Sequence, residues 1–176
     1  MRALKASIIF GLCLTLAAYL MPVSGASPDL TLYLVRHGEK QAGEDPALTP
    51  EGKARAMRLA ALMEAAGVER VYSTDTKRTR ETTAPTAEGV ESDVVIYDAD
   101  KADAFASMLK SQRGVVLVVG HSNTIPGLAS ALTGRDEGDE FDESQYDSLY
   151  RIEFNAKGEP VSYLMSYDAL ERALAE

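Results

Sequence analysis

The chain contains two histidines, and they stand in matching settings: Val35-Arg36-His37-Gly38 and Val119-Gly120-His121-Ser122, each directly after an apolar run and beside a glycine. A histidine in a folded domain is most often a surface or hydrogen-bonded structural residue, so either one alone is weak evidence, and it is the paired placement that carries weight. A neutral imidazole offers a lone pair at physiological pH, which suits nucleophilic attack, proton transfer or metal ligation. A two-histidine metal site would need a carboxylate from a third segment, and no spacing fixes one. Neither glycine belongs to a G-x-G-x-x-G run, so a dinucleotide site is not indicated.

The segments around the histidines read as alternating strands and helices. Leu30 to Val35 is apolar and β-branched, a buried strand running into Arg36-His37-Gly38. After a Gly/Asp/Pro loop, Thr49 fits as N-cap and Pro50 as first residue of a helix. Leu59, Leu62, Met63 and Ala66 form its apolar stripe, and Gly67 closes it. Val68 to Tyr72 is a second strand, and Lys77 to Ala84 a helix expected to stop before Pro85. Val94 to Tyr97 is a third strand. Ala102, Phe105, Ala106 and Leu109 repeat the helical stripe, and Val115 to Val119 is apolar enough to require cover on both faces. Another helix follows His121, with Pro126 in its first turn. Leu149 to Phe154 and Val161 to Met165 flank an Asn155 to Gly158 turn as a hairpin. This alternation predicts an α/β domain in three layers, α/β/α, with a mainly parallel central sheet and a C-terminal β-hairpin. Ligands bind such sheets outside the carboxyl ends of the strands, where both histidines fall.

Composition bounds the function. With 176 residues, 45% hydrophobic and 26% charged, the chain is ordinary globular material, large enough for one core, and not disordered, collagen-like or multi-spanning. A formal charge of −9 argues against nucleic acid and against a peripheral anchor on anionic lipid. A single cysteine makes no intramolecular disulfide, and with two histidines it leaves few soft metal ligands.

Four blocks then stand in a recognisable order: Leu34-Val35-Arg36-His37-Gly38-Glu39; Leu48-Thr49-Pro50-Glu51-Gly52; Val71-Tyr72-Ser73-Thr74-Asp75-Thr76-Lys77-Arg78-Thr79-Arg80-Glu81-Thr82; and Val119-Gly120-His121-Ser122-Asn123-Thr124. Together they resemble the histidine phosphatase superfamily, the phosphoglycerate-mutase-like fold, in its branch with compact bacterial phosphatases. The resemblance implies that His37 is the nucleophile, forming a phosphohistidine, and that Arg36, Arg78 and His121 bind the phosphate around it. Those residue types suit the reaction. Phosphoryl transfer depends on positioning and charge, the two guanidinium forks match phosphoryl oxygens, and a protonated His121 would add a third cationic donor. No metal or other cofactor is implied. Arg78 could instead lie on a solvated helix face with Lys77 and Arg80, but it holds the family's arginine position in Ser-x-x-x-x-Arg. Glu39, Glu51 and Asp75 have adequate explanations as loop or cap residues.

The match departs from the family at the general acid. The segment Val94 to Lys101 lacks the Arg-Leu-x-Glu type motif of many members. Asp98 and Asp100 could protonate a leaving oxygen there, or serve as N-cap and first-turn acid of the next helix. The chain is too short for the lid segments of the glycolytic mutases, so mutase activity is not expected. The acidic run Arg135 to Glu143 does not fit an EF-hand spacing and reads as a solvated loop. If it bordered the pocket it would repel highly anionic substrates.

The N-terminus carries Arg2 and Lys5, a 16-residue apolar run from Ala6 to Met21, and the small residues Ser24 and Ala26. That pattern reads as a signal peptide over residues 1–26 ahead of a phosphatase domain over 27–176; at ~1.5 Å per residue the run reaches only about 24 Å, short for a span. An uncleaved anchor is the alternative. Cleavage after Ala26 leaves 16 basic residues against 27 acidic, a charge of −11, and removes Cys13. The expectation is an exported, periplasmic or secreted, metal-independent phosphatase. Its substrate would be a small phosphorylated compound, with no nucleic-acid partner and no stable membrane span after cleavage. The alternatives are a protein phosphohistidine phosphatase and a non-hydrolytic phosphate-binding or envelope-biogenesis protein.

Overall fold

The computed structural model describes residues 28–176. The signal-peptide reading therefore lies outside the described residues. Six strands form one sheet: β1 (Leu30–Arg36), β2 (Arg70–Ser73), β3 (Val94–Ile96), β4 (Gly114–Gly120), β5 (Ser148–Phe154) and β6 (Pro160–Ser166). Five helices complete the fold: α1 (Pro50–Ala65), α2 (Lys77–Gly89), α3 (Ala102–Lys110), α4 (Ile125–Thr133) and α5 (Tyr167–Leu174), with a 3₁₀ turn at Ala99–Lys101. Among the described residues no helix is long and apolar enough to cross a membrane.

The strand order is β3-β2-β4-β1-β5-β6. The first four strands are mutually parallel, and the β5–β6 hairpin adds antiparallel to β1. Because successive strand side chains alternate in direction, β1 feeds both cores. Leu30, Leu32 and Leu34 join Phe105, Leu109, Leu128 and Leu132 of α3 and α4 on one face. Tyr33 and Val35 join Leu59, Met63, Ala87 and Leu170 of α1, α2 and α5 on the other. The result is the three-layer α/β/α arrangement with a mainly parallel sheet and a C-terminal hairpin.

Several boundaries differ from the sequence expectation for identifiable reasons. α2 does not stop before Pro85 but continues to Gly89. An interior proline removes one backbone hydrogen bond and costs ~3 kcal/mol. Here Thr86 and Ala87 beyond it are buried, and Val90 still donates to the Thr86 carbonyl, so burial and continued bonding offset the defect. β2 begins at Arg70 rather than Val68, because the Val68 amide bonds to the Met63 carbonyl in closing α1. Gly67 makes that closure possible at φ +72°, a conformation glycine adopts freely. The third strand ends at Ile96, one residue early. The terminal helix α5, not anticipated, is capped by Ser166, whose hydroxyl accepts from the Ala169 amide, and it buries Tyr167 and Leu170. Thr49 caps α1 and Pro50 opens it as expected.

Candidate active site

Sheet register brings the two histidines together. Arg36 pairs with Gly120 across β1 and β4, and the His37 amide continues the ladder to the Gly120 carbonyl at 3.0 Å. Each histidine thus stands one residue past the carboxyl end of neighbouring parallel strands. Their rings are 5.4 Å apart, edge to face at 68°.

His37 is buried, at 3% exposure. Its Nδ1 lies 2.7 Å from the Gly38 carbonyl, which can only accept, so Nδ1 carries the proton and Nε2 keeps its lone pair. Burial, reinforced by the charges of Arg78 and Arg36 and by His121, pushes its pKa down to about 3 against the pull of that backbone bond, and the ring is neutral at physiological pH. The following turn is pinned by close packing. A Cβ on Gly38 would lie 2.8 Å from the Gly52 carbonyl, and a Cβ on Gly52 would collide with the Glu39 backbone, so two glycines let the loop sit on the start of α1. The Thr82 hydroxyl accepts from the Gly38 amide at 3.0 Å and donates to the Arg78 carbonyl at 2.8 Å, tying the loop that carries His37 to α2.

His121 Nδ1 accepts from Arg78 Nη2 at 3.2 Å, while its Nε2 lies 2.9 Å from Thr74 Oγ1. With Nδ1 accepting, Nε2–H donates to that hydroxyl. Thr74 donates in turn to Thr79 Oγ1 at 3.1 Å, and Thr79 donates to the Thr74 carbonyl at 2.8 Å. Burial, then the charges of Arg78 and Arg36, lower the His121 pKa to about 4. The residue expected to be a third cation is therefore a neutral imidazole at physiological pH. An arriving dianion opposes both arginine charges and favours its protonation.

Arg36 is 2% exposed and does not reach into water. Its Nη1 donates to the carbonyls of Asp142, Glu143 and Gln145 at 2.8, 3.2 and 3.3 Å, and its guanidinium lies 4.1 Å from the centre of the Tyr146 ring. Arg78 Nη1 is 3.8 Å from Asp45. The Nε atoms of both arginines are buried without a hydrogen-bond partner. Such orphaned donors on two adjacent cations suit an oxyanion.

Beyond this floor opens a cleft of about 630 Å³, lined among others by Thr74, Arg78, Asp98, Asp100, His121 and Asn123. Asp98 is the N-cap of the 3₁₀ turn: it accepts from the Asp100 amide at 3.1 Å and pairs with Lys101 at 2.9 Å. The Lys101 bond holds its carboxyl below the ordinary range, so it is ionised at neutral pH. Both aspartates are exposed on the cleft wall. The remaining charges take structural places. Glu39 pairs with Arg55, Arg80 pairs with Asp75, and Glu51 sits in the first turn of α1. Among the described residues no three His, Cys, Asp or Glu side chains gather as a metal site. Three contributors were not singled out from sequence. Thr74 and Thr82 lie inside the quoted third block, whereas Tyr146, 6.3 Å from the His37 ring, follows an acidic stretch that carries no signal of it.

Residues 32–101 match the model of the histidine phosphatase superfamily (branch 1), and solved structures share the architecture over most of the chain. The fold is that of the histidine phosphatases. The protein histidine phosphatase SixA, solved with tungstate, is 18% identical at a TM-score of 0.62, covering 80% of this chain and 99% of its own. A structure from Escherichia coli K-12, named as a candidate α-ribazole-5′-P phosphatase, is 17% identical at a TM-score of 0.65, covering 78% of this chain and 96% of its own. The phosphoserine phosphatase of Entamoeba histolytica, with 3-phosphoglyceric acid, is 17% identical at 0.61, covering 78% and 97%. A search of the curated proteins finds no match. At these identities the histidine phosphatase likeness describes architecture. In this chain the four blocks lie at the carboxyl ends of β1, β2 and β4 and at the start of α1.

Proposed function

We propose that the protein is a phosphatase that hydrolyses small phosphomonoesters through a phosphohistidine on His37. The observation that carries this reading is the state of His37: neutral, enclosed, its Nδ1 proton engaged by Gly38 and its Nε2 lone pair free, beside two arginines with unpartnered donors. In the first step Nε2 attacks phosphorus, the P–O bond to the leaving group breaks, and the departing oxygen takes a proton from solvent water at the exposed cleft wall. The Gly38 carbonyl stabilises the positive charge that develops on the ring. Arg36, Arg78 and a newly protonated His121 hold the equatorial oxygens. In the second step water attacks phosphorus, the N–P bond breaks, and His37 returns to the neutral imidazole as phosphate leaves. These residues supply the charge that phosphoryl transfer needs, so the reading requires no metal.

The similar folds include enzymes named for phosphohistidine, phosphoserine and α-ribazole phosphate, and the architecture does not choose among such substrates. One observation favours protein phosphohistidine as a second reading. The carboxylates of the cleft wall are exposed, and Asp98 is held ionised by Lys101, so neither wall residue is an enclosed acid ready to protonate an alkoxide. A phosphoramidate has a better leaving group and tolerates that lack. The N-terminal sequence supports export of the enzyme, which would place it among small phosphate esters.

The test compares a panel of small phosphomonoesters with a phosphorylated phosphocarrier protein, using wild type and His37→Ala. Ester turnover that is lost in His37→Ala, blocked by vanadate and unaffected by EDTA supports the first reading. Turnover of the phosphocarrier alone supports the second. Vanadate binding without turnover of either would make the protein a phosphate binder. Fractionation of the native host tests export: recovery with the cytoplasmic fraction contradicts it.

A further inference from the structure

We propose that Tyr146 is a positioning residue for Arg36, and that the segment leading into β5 is the device that aims this arginine at the phosphoryl group; the inference rests on the phosphate-binding reading of the pocket. The guanidinium is constrained from two directions. Nη1 is occupied by the carbonyls of Asp142, Glu143 and Gln145, and one flat face lies on the Tyr146 ring, 4.1 Å from its centre. What remains is the edge formed by Nε and Nη2, with Nε buried and unpartnered. That edge is the pair of parallel donors a guanidinium uses to grip two oxygens of one phosphate. The carbonyls therefore hold the arginine by Nη1 and leave its Nε and Nη2 donors without a protein partner among the described residues.

This arrangement gives the acidic segment a use that its composition conceals. The carboxylates of Asp142 and Glu143 point to solvent, with Asp142 accepting from the Ser144 amide at 2.9 Å and its hydroxyl at 2.5 Å, whereas the carbonyls face the buried cation. A tight turn of this kind presents successive backbone dipoles in one direction. Tyr146 follows shortly after, and its ring also stands 6.3 Å from that of His37, so one aromatic ring neighbours both the proposed nucleophile and its arginine. No side-chain hydrogen bond engages the Tyr146 hydroxyl among the described residues; its contact with Arg36 is through the π-face. A cation over an aromatic ring gains ~0.5–2 kcal/mol, which corresponds to roughly 2- to 30-fold in an affinity or rate.

The test is vanadate binding by calorimetry, with kcat and KM on an activated aryl phosphate, for wild type, Tyr146→Phe, Tyr146→Leu and Tyr146→Met. Phe keeps the ring and should retain wild-type values. Leu and Met, folded by circular dichroism, should bind vanadate roughly 2- to 30-fold more weakly and lose kcat more than they gain in KM. If Leu misfolds, Met, with its flexible side chain, carries the comparison, and failure of both to fold while Phe is intact would assign the ring a purely structural role and overturn the proposal. Equal vanadate affinity in wild type and a folded Leu or Met variant also overturns it, as does a loss in Phe as large as in Leu. Vanadate binding that depends on the ring in a protein without turnover would uphold the positioning role and reject the phosphatase reading. A wild type that does not bind vanadate rejects both.

Discussion

Beside the cleft, Arg36 and His37 form an enclosed floor held by protein carbonyls: Gly38 engages His37 Nδ1, and Asp142, Glu143 and Gln145 engage Arg36 Nη1. The wall opposite, carrying Asp98 and Asp100, faces water, and its groups are engaged in capping and pairing the 3₁₀ turn. The difference follows from position. The floor grows from two central parallel strands whose ends are fixed by ladder register, whereas the wall grows from the short β3 at the sheet edge. A phosphoryl group is the same in every substrate, and rigid donors serve it. Leaving groups vary, and an open wall leaves their identity to features with little structural commitment.

Each side of this contrast can be broken by substitution. His37→Ala should abolish phosphoenzyme formation and reduce hydrolysis to background, measured by turnover of an aryl phosphate. Arg78→Ala removes one preorganised cation from the floor and should lower kcat/KM by ~10²–10³ with the fold intact by circular dichroism. Thr82→Val leaves the buried Gly38 amide without its acceptor. It should cost about 1–3 kcal/mol in denaturant unfolding and also reduce turnover, because the loop bearing His37 is released from α2.

The histidines add a pH signature. Both have folded-state pKa values depressed from 6.5, to about 3 and about 4. The unfolded chain therefore takes up protons first as pH falls. Their contribution to stability is fully present above about pH 6.5, declines on acidification below that, and is exhausted below about pH 3. In denaturant titrations, His37→Asn should flatten the slope of stability against pH between 6.5 and 4. On the wall, Asp98→Asn and Asp100→Asn should change the rate on an activated ester least, by less than about 3-fold, since such a leaving group needs little protonation.

Legibility from sequence followed the same division. β1 and β4 are near-continuous apolar runs, and the residues just past them, Arg36-His37 and His121, could be located before any coordinates. Arg78 was distinguished from Lys77 and Arg80 only by the resemblance of its block to the family's Ser-x-x-x-x-Arg pattern. The extent of α2 was hidden because an interior proline is a local stop signal, whereas burial of Thr86 and Ala87 is a tertiary effect. The protonation state of His121 depends on its burial and then on the charges of Arg78 and Arg36, all of which other elements bring to it. Tyr146 was invisible for a similar reason: its role exists only once the chain returns after more than 100 residues to lie on Arg36, and the surrounding acids advertise solvent.

In the proposed reaction the His37 Nε2 receives the phosphoryl group. Mixing the protein with a labelled activated phosphoester, quenching in alkali, where phosphohistidine survives, and mapping the modified peptide by mass spectrometry tests it directly. Transfer to His37 should leave one phosphoryl group on that residue, absent from His37→Ala and accumulating when water attack is slowed. A chain that hydrolyses the ester with no label on His37, or with the label on His121, would contradict it.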